Sequence, residues 1–520
     1  MVHNNANFNY IIIGAGAAGC VIANKLSANP AIKVLLLEAG SMDTMADIAD
    51  IGGFVRLWGS DIDWKLKTVP QAGMFDREVI LNQGKVLGGS SSINAMMYVR
   101  GNAENFDDWA KLGLEGWAYQ DVLPYFKKIE DYNGGDAGYH GKGGEISLCD
   151  CPDDHMRSPE FVEAARQAGF NEQHFDYNGA KQSNSAGHLQ FHIGHDRKRE
   201  SGATAFLHPI MHRSNLNIVT GAEVKKIIID EGIATGVEYA IDGVMFIAKA
   251  INEVILSAGA LASPKILMLS GIGPAAHIES LGIEPVKDLP GVGQNLQDHL
   301  QLPIIFRTDA DLPHTTLLTG NVLFVKTENA ADAPDIQINF TPSKPEPIAH
   351  ILPDFGVPIC IFLAILVQPK STGTVMLASA DYQDQPVIDP KYLGEKADVE
   401  TLAAAIETIR NIAIQPAFSH LNIAELVPGE ANIESFIRSV ATTLWHPVGT
   451  CKMGNDKMAV TDEKLRVRGI QKLRVVDASV MPVITSGNTV ATCFMLGAKA
   501  SEMILEDYVY ITTEINLEQC

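Results

Sequence analysis

The sequence predicts an α/β protein: a Rossmann-like nucleotide-binding domain with a parallel sheet, interleaved with a second domain of α+β character. Three observations predict it. The apolar run Tyr10 to Ile13 ends in a glycine-rich turn, GAGAAG, Gly14 to Gly19. A segment with helical spacing of Val21, Ile22 and Leu26 then leads to a second apolar run, Lys33 to Leu37, closed by Glu38. Strand, tight turn, helix, strand and acid in that order form a βαβ unit, which places its strands parallel. Finally, the texture changes between about 300 and 460 and returns to strand, loop and helix near the C-terminus.

The remaining elements follow in chain order. A loop-rich stretch carries a second glycine motif, GKVLGGSSSINAM, Gly84 to Met96. Gly135 to Gly144 reads as an exposed turn region. Asn217 to Val237 alternates around Gly221 and Gly232 and reads as a hairpin. Val254 to Ser257 is a buried strand running into AGALASPKILMLSGIG. In the changed region, Ile336 to Phe340 (IQINF) and Val357 to Val367 read as strands and VETLAAAIETIRNIA as a helix. LRVVDASVMP is strand then loop, and GNTVATCFMLGAKASEMIL is a closing helix. The expected organisation is a nucleotide-binding region over 8–299, substrate-domain strands over 300–370, and a C-terminal region over 371–505 that re-enters the nucleotide fold at about 462.

Bulk properties exclude several classes. With 62 acidic against 40 basic residues the net charge is −22, a field that repels phosphate backbones, so nucleic acid is not an expected partner. The seven cysteines are scattered, only Cys149 and Cys151 being close, and no paired C-x-x-C motif suggests a metal site. Reduced thiols fit a cytoplasmic location. The polar start MVHNNANFNY lacks the apolar core of a signal peptide. Val357 to Val367, broken by Pro358, is too short to cross a bilayer, so no transmembrane segment is expected.

The first glycine motif has a physical job for each residue. Gly14 permits the tight turn, Gly16 lets a pyrophosphate approach the backbone, and Gly19 lets helix and strand pack closely. The helix N-terminus, from Ala17 and Ala18, offers free N–H groups and the positive dipole end to phosphate, while Glu38, followed by Ala39, can accept ribose hydroxyls. This motif alone does not separate NAD from FAD.

GKVLGGSSSINAMMYVRGNAENFD, Gly84 to Asp107, resembles the first signature of the glucose–methanol–choline (GMC) oxidoreductases. GALASPKILMLSGIG, Gly259 to Gly273, resembles the second. Further matches are PGVGQNLQDH (290–299), HPVGTCKMG (446–454), VVDASVMP (475–482) and GNTV (487–490), so the resemblance spans nearly the whole chain. It looks closest to the bacterial choline-dehydrogenase-like and alcohol-dehydrogenase-like branch.

The resemblance implies FAD and a substrate domain built on an antiparallel sheet. It places Val86, Gly88, Gly89, Ser90, Asn94, Ala95, Met96 and Met97 around the flavin and its pyrophosphate, with the serine hydroxyls adding donors. Val224 would meet the adenine through its backbone, and Ala258, Asp477 and Ala478 would lie along the pyrophosphate and ribityl chain. Asn488, Thr489 and Val490 would stand beside the flavin.

It also implies the reaction: an alcohol is oxidised to an aldehyde or ketone. His446 acts as the base and Asn488 as its partner, a histidine suiting the proton step because its ordinary pKa lies near neutrality. The electron acceptor stays open between oxygen, a quinone and another carrier. A hydroxynitrile-type lyase or a non-redox flavoprotein on the same fold are the alternatives, and an NAD enzyme leaves the second glycine motif without a role. His299 reads as part of a loop held by hydrogen bonds, and Met453, Trp445 and Trp64 as packing. Two departures from relatives stand out. Ile93 occupies the position where some relatives attach FAD through a histidine, which predicts noncovalent FAD. The segment from His299 to Ile336 is also shorter than in many relatives, so no relative's substrate carries over.

Overall fold

The computed structural model describes residues 6–518 apart from 172–174, 311, 314, 329, 346–347 and 349–351, so most of the polar start and parts of the short segment before Ile336 lie outside the described residues. Two seven-stranded sheets organise the chain.

In the first sheet, Ala6–Ile13 lies between Val34–Leu37 and Val244–Leu256, parallel to both, and Leu473–Val475 adds a further parallel strand to Val244–Leu256. Ile11, Ile12, Val34, Leu35, Leu36, Val254 and Ile255 are fully buried, as expected of parallel strands covered on both faces. The helices Ala17–Ser27 and Val490–Glu518 pack together over this sheet. They approach so closely that a Cβ on Gly497 would lie 2.7 Å from the Ala18 carbonyl oxygen.

The hairpin expected over Asn217 to Val237 forms only around Gly232, between Ala222–Asp230 and Ile233–Ile241. Leu216–Val219 instead pairs in parallel with Val34–Leu37. Gly221, at φ +67°, turns the chain out of that ladder, and its N–H donates to the Gly40 carbonyl. A short apolar run gives no local sign of which distant strand it joins.

The second sheet is antiparallel, with the order Ala424–Val427, Leu300–Arg307, Ile359–Leu366, Ile336–Thr341, Asn321–Val325 and Ser185–His188. The last of these strands comes from far upstream, within 8–299, and Thr442–Thr443 adds a short pairing to Leu300–Arg307. Alternation decides its faces. Leu302, Ile304, Ile338, Phe340, Phe362 and Ala364 turn one way, onto Leu402, Ala405, Ile406 and Ile409 of the helix Lys396–Ala413. Each buried Leu or Ile contributes about 1.5–3 kcal/mol. The intervening residues turn the other way and wall a cavity.

The glycine-rich stretch 135–144 is exposed at Gly135, Gly138 and Gly143, as expected, yet His140 within it is buried. Its Nδ1 lies 2.7 Å from Glu130 and its Nε2 2.8 Å from Asp176, while Arg100 pairs with Glu130. Gly141 packs so tightly that a Cβ there would meet the Lys127 carbonyl oxygen at 1.8 Å.

Candidate functional site

A cavity of about 1340 Å³ lies between the two sheets, lined both by the first glycine turn and by the free face of the antiparallel sheet. Ordinary ligand pockets run to roughly 300–1,000 Å³, so this one has room for a large ligand and a small one together.

The three glycines of the first turn have separable roles. Gly14 has φ +99°, and a Cβ on it would lie 2.4 Å from the Ser257 carbonyl oxygen. A Cβ on Gly19 would lie 2.0 Å from the Gly14 carbonyl oxygen. Both are therefore required by the fold itself. A Cβ on Gly16 would meet nothing closer than 3.9 Å, so this glycine opens onto the cavity. Gly16 caps the helix Ala17–Ser27 without a side-chain hydrogen bond, which leaves first-turn N–H groups available to an anion.

The second glycine motif is pressed against the first. The Gly88 N–H donates to the Ala15 carbonyl at 2.8 Å, and a Cβ on Gly89 would lie 2.8 Å from Gly16 Cα. Gly88, at φ +90°, also has no room for a side chain, because Ser92 Oγ would be 2.2 Å away. The hydroxyls of Ser91 and Ser92 are spent inside the turn, donating to the Gly88 and Leu87 carbonyls at 2.5 and 2.8 Å. Ser91 Oγ accepts in turn from the Gly202 N–H at 2.8 Å. These two hydroxyls staple the loop, and the Ser91 hydroxyl, expected from the sequence to offer a donor, is already engaged.

Beyond the turn, Asn94 is held from behind. The buried Arg199 donates through Nη1 to the Asn94 carbonyl at 2.6 Å and to Asn94 Oδ1 at 2.7 Å, and His192 Nε2 lies 3.2 Å from Asn94 Nδ2. Burial pushes the Arg199 pKa down to about 9 and that of His192 down to about 3. Neither residue stood out in the sequence, because each lies about 100 positions from Asn94 and carries no motif of its own.

Glu38 accepts N–H bonds from Ala15 and Gly40, both at 2.8 Å, one on each carboxylate oxygen. Lone pairs remain for ribose hydroxyls. Burial pushes its carboxyl up to about 7. Across the cavity the ladder between Ala222–Asp230 and Ile233–Ile241 slips between Val224 and Lys226, beside the residue expected to meet an adenine. Asp477 ties two walls together, accepting from the Gly259 N–H at 2.9 Å, from Ser263 Oγ at 2.6 Å and from the Ser479 N–H at 2.8 Å.

The other wall carries His446 and Asn488, brought together although 42 residues apart: Asn488 Nδ2 lies 3.3 Å from His446 Nε2. His446 Nδ1 lies 3.0 Å from His299 Nδ1, and His299 Nε2 lies 3.1 Å from the Val367 carbonyl oxygen. This chain of contacts assigns the tautomers. The carbonyl can only accept, so His299 Nε2 carries the proton and its Nδ1 accepts. His446 Nδ1 must then be the donor, and His446 Nε2 keeps a free lone pair beside Asn488. Burial pushes the His446 pKa down to about 3, and burial together with the neighbouring His446 holds His299 well below its ordinary value. Both rings are held neutral near pH 7, the form in which His446 can take up a proton.

Asp298 fixes the His446 backbone, accepting its N–H at 2.8 Å, and also accepts the Thr443 and Tyr392 hydroxyls at 2.5 Å each. Trp445, read as packing, does pack on Trp58, the two rings tilted with centroids 4.5 Å apart, but it also lines the cavity.

Of the residues singled out from the sequence, Gly14, Gly16, Ala17, Ala18, Glu38, Ala39, Gly89, Ser90, Asn94, Ala95, Met96, Met97, Val224, Ala258, Asp477, Ala478, Asn488, Thr489, Val490 and His446 line the cavity. Gly19, Val86 and Gly88 stand behind its wall. The residues present fit FAD. The open Gly16, the uncapped helix start, the slipped ladder at Val224 and the orphaned buried Asn488 Oδ1 and Ser257 Oγ supply the cradle and polar atoms that such a dinucleotide needs.

Comparison with known proteins agrees with the geometry. Family models described as GMC oxidoreductase match residues 8–301 and 369–497. An alcohol dehydrogenase [acceptor] from Pseudomonas putida is 39% identical over 539 aligned positions, covering 96% of both chains. An oxygen-dependent choline dehydrogenase from Sinorhizobium fredii is 38% identical, covering 95% of both chains. Among solved structures, pyridoxine 4-oxidase from Mesorbium loti superposes with a TM-score of 0.89 at 31% identity, covering 95% of this chain and 99% of that one.

Proposed function

The chain belongs to the GMC oxidoreductase family, FAD-dependent enzymes acting on CH–OH groups, and on that premise we propose that His446 is the base and Asn488 its partner in oxidising a small-molecule alcohol. FAD, when bound, supplies the acceptor for the substrate's hydride. The observation that carries the reading is the carbonyl–His299–His446 chain, which leaves His446 Nε2 unprotonated beside Asn488.

An alcohol hydroxyl seated between these side chains gives its proton to Nε2, and Asn488 Nδ2 donates to the oxygen as charge develops on it. Desolvation by the surrounding protein holds the base neutral. The test is an anaerobic screen of aliphatic, aromatic, amino- and polyol alcohols, read as bleaching of the flavin's visible absorbance. Bleaching supports oxidation. A flavin that stays oxidised with every alcohol points to the lyase or non-redox alternatives.

FAD is held without a covalent bond in this reading, because Ile93, which lines the cavity, has no atom able to form one. Acid precipitation should release the yellow colour into the supernatant. Colour retained by the pellet would contradict the noncovalent assignment. The free cysteines, among them buried Cys20, Cys151, Cys360 and Cys451, support a cytoplasmic setting, and no described helix is long and apolar enough to cross a membrane.

His299 is a positioning residue here: it sets the tautomer of the base. His299→Leu removes the acceptor for His446 Nδ1–H and should slow flavin reduction about 10–100-fold, the range seen when partners that orient a ligating histidine are lost. His299→Gln restores an acceptor and a donor on one side chain, and it should recover much of that loss. Equal rates in the two variants would mean that His299 only fills space.

A further inference from the structure

The wall facing His446 and Asn488 is the free face of the antiparallel sheet, and its polar groups are arranged with one left over. Asn339 Nδ2 donates to the Asn321 carbonyl at 2.6 Å, which turns Asn339 Oδ1 the other way. Gln337 Nε2 donates to that oxygen at 3.0 Å. The amide orientations are thus fixed by a backbone carbonyl, and the chain ends in Gln337 Oε1. That oxygen belongs to a fully buried side chain of a cavity-wall residue and has no hydrogen-bond partner.

Register places Gln337 one row from the strand ends that reach His299. Gln337 stands opposite Ile365, which stands opposite Gln301. The neighbouring row, Ile336–Leu366–Leu300, adjoins His299 and the Val367 carbonyl that His299 holds. The surroundings are apolar or neutral: Ile365, Leu363 and Leu444 offer hydrocarbon, and every described lining residue from Gln301 to Pro386 is uncharged. Elsewhere the cavity is lined by Arg77, which donates to the Ala441 carbonyl at 2.7 Å beside Thr442, by Glu78 and by the aromatic pair Trp58 and Trp445. A quaternary ammonium, which needs a carboxylate or an aromatic cage, brings no hydrogen-bond donor to Gln337 Oε1.

We propose that the substrate is an alcohol carrying a second hydrogen-bond donor, which Gln337 Oε1 accepts, with its hydrocarbon lying over Leu363 and Ile365. The proposal rests on the reading of His446 and Asn488 as the alcohol-activating pair. A buried acceptor left unpaired is costly, so a substrate that satisfies it gains over one that cannot.

The experiment compares holoenzyme flavin reduction by n-alkanols, by 1,2- and α,ω-diols of matched length, and by choline, under anaerobic conditions. At least one diol series should exceed its matched alkanols by about tenfold or more in second-order rate constant, and choline should show no such advantage. In Gln337→Met the diol-to-alkanol ratio should fall toward one. In Gln337→Glu choline should gain relative to the diols. Where the parent flavin is reduced by alcohols, the proposal is overturned if diols hold no preference, if that preference survives in Gln337→Met, or if choline outpaces every neutral alcohol.

Binding is read separately in His446→Ala, through the perturbation of the bound flavin's spectrum on titration with the same compounds. Diols that bind better than alkanols there, yet never reduce the parent flavin, uphold the recognition by Gln337 and count against the oxidation chemistry alone. Diols that neither bind nor react overturn the proposal.

Discussion

His446→Ala should reduce its flavin about 10²–10⁴-fold more slowly than the parent enzyme while FAD stays bound, since that is the usual contribution of a positioned general base. The cofactor should remain because His446 meets His299 and Asn488, whereas the phosphate turn is built from Gly16 against Gly89 and Ser257. Anaerobic stopped flow isolates the step from reoxidation. Asn488→Ala should lose a similar or smaller factor, about 10²–10³-fold, the typical cost of one donor to a developing oxyanion. Both side chains act on one hydroxyl, so the double variant should be less impaired than the product of the two losses.

The pH profile gives a second readout. The base works in its neutral form, and burial lowers its pKa to about 3, so that form is lost only as pH falls toward 3. Reduction in the parent should therefore be flat from about pH 5 to 8, instead of rising near 6.5 as for an ordinary histidine. A parent rate retained in His446→Ala would remove the assignment. His299, whose Nδ1 loses its partner in that variant, would then be the next candidate.

The nucleotide half was legible in the sequence because its signals are local. Tyr10 to Ile13, the glycine turn, the helix and Lys33 to Leu37 fall within thirty residues, and each obeys a periodicity that one window reveals. The positioning of His446 was not legible in that way. Its partners Asp298 and His299 lie 148 and 147 residues away, and only the antiparallel sheet brings the two segments together. The NLQDH motif marked the place without disclosing that its histidine sets a tautomer.

The IQINF strand was read correctly, but its meaning lies in which face each residue takes. Ile336, Ile338 and Phe340 enter the core, whereas Gln337 and Asn339 face the cavity. A period of two shows that split, but not which face meets a ligand. The same limit explains His140, whose glycine-rich setting signals exposure while Glu130 and Asp176 draw its ring inside.

Gly16→Val should abolish retention of FAD and leave a chain that still folds. The contrast with its neighbours makes the expectation specific. A side chain at Gly14 or Gly19 would strike the protein's own backbone at 2.4 or 2.0 Å, so substitution there disrupts the turn whether or not a ligand is present. At Gly16 the backbone is already in an extended conformation, φ −75° and ψ −171°, which any L residue adopts, and the Cβ direction is open to 3.9 Å. The fold therefore tolerates valine, and the branched side chain projects into the space where the helix N-terminus would hold a pyrophosphate. The purified variant should be colourless, with far-ultraviolet circular dichroism close to that of parent enzyme stripped of FAD. Its melting temperature should lie below that of the holoenzyme and should not rise on adding FAD, because a ligand that binds only the folded state stabilises it by mass action. A yellow Gly16→Val protein with parental FAD content would show that the phosphates lie elsewhere. A variant that fails to fold, beside a soluble Gly14→Ala, would reverse the roles assigned to the two glycines.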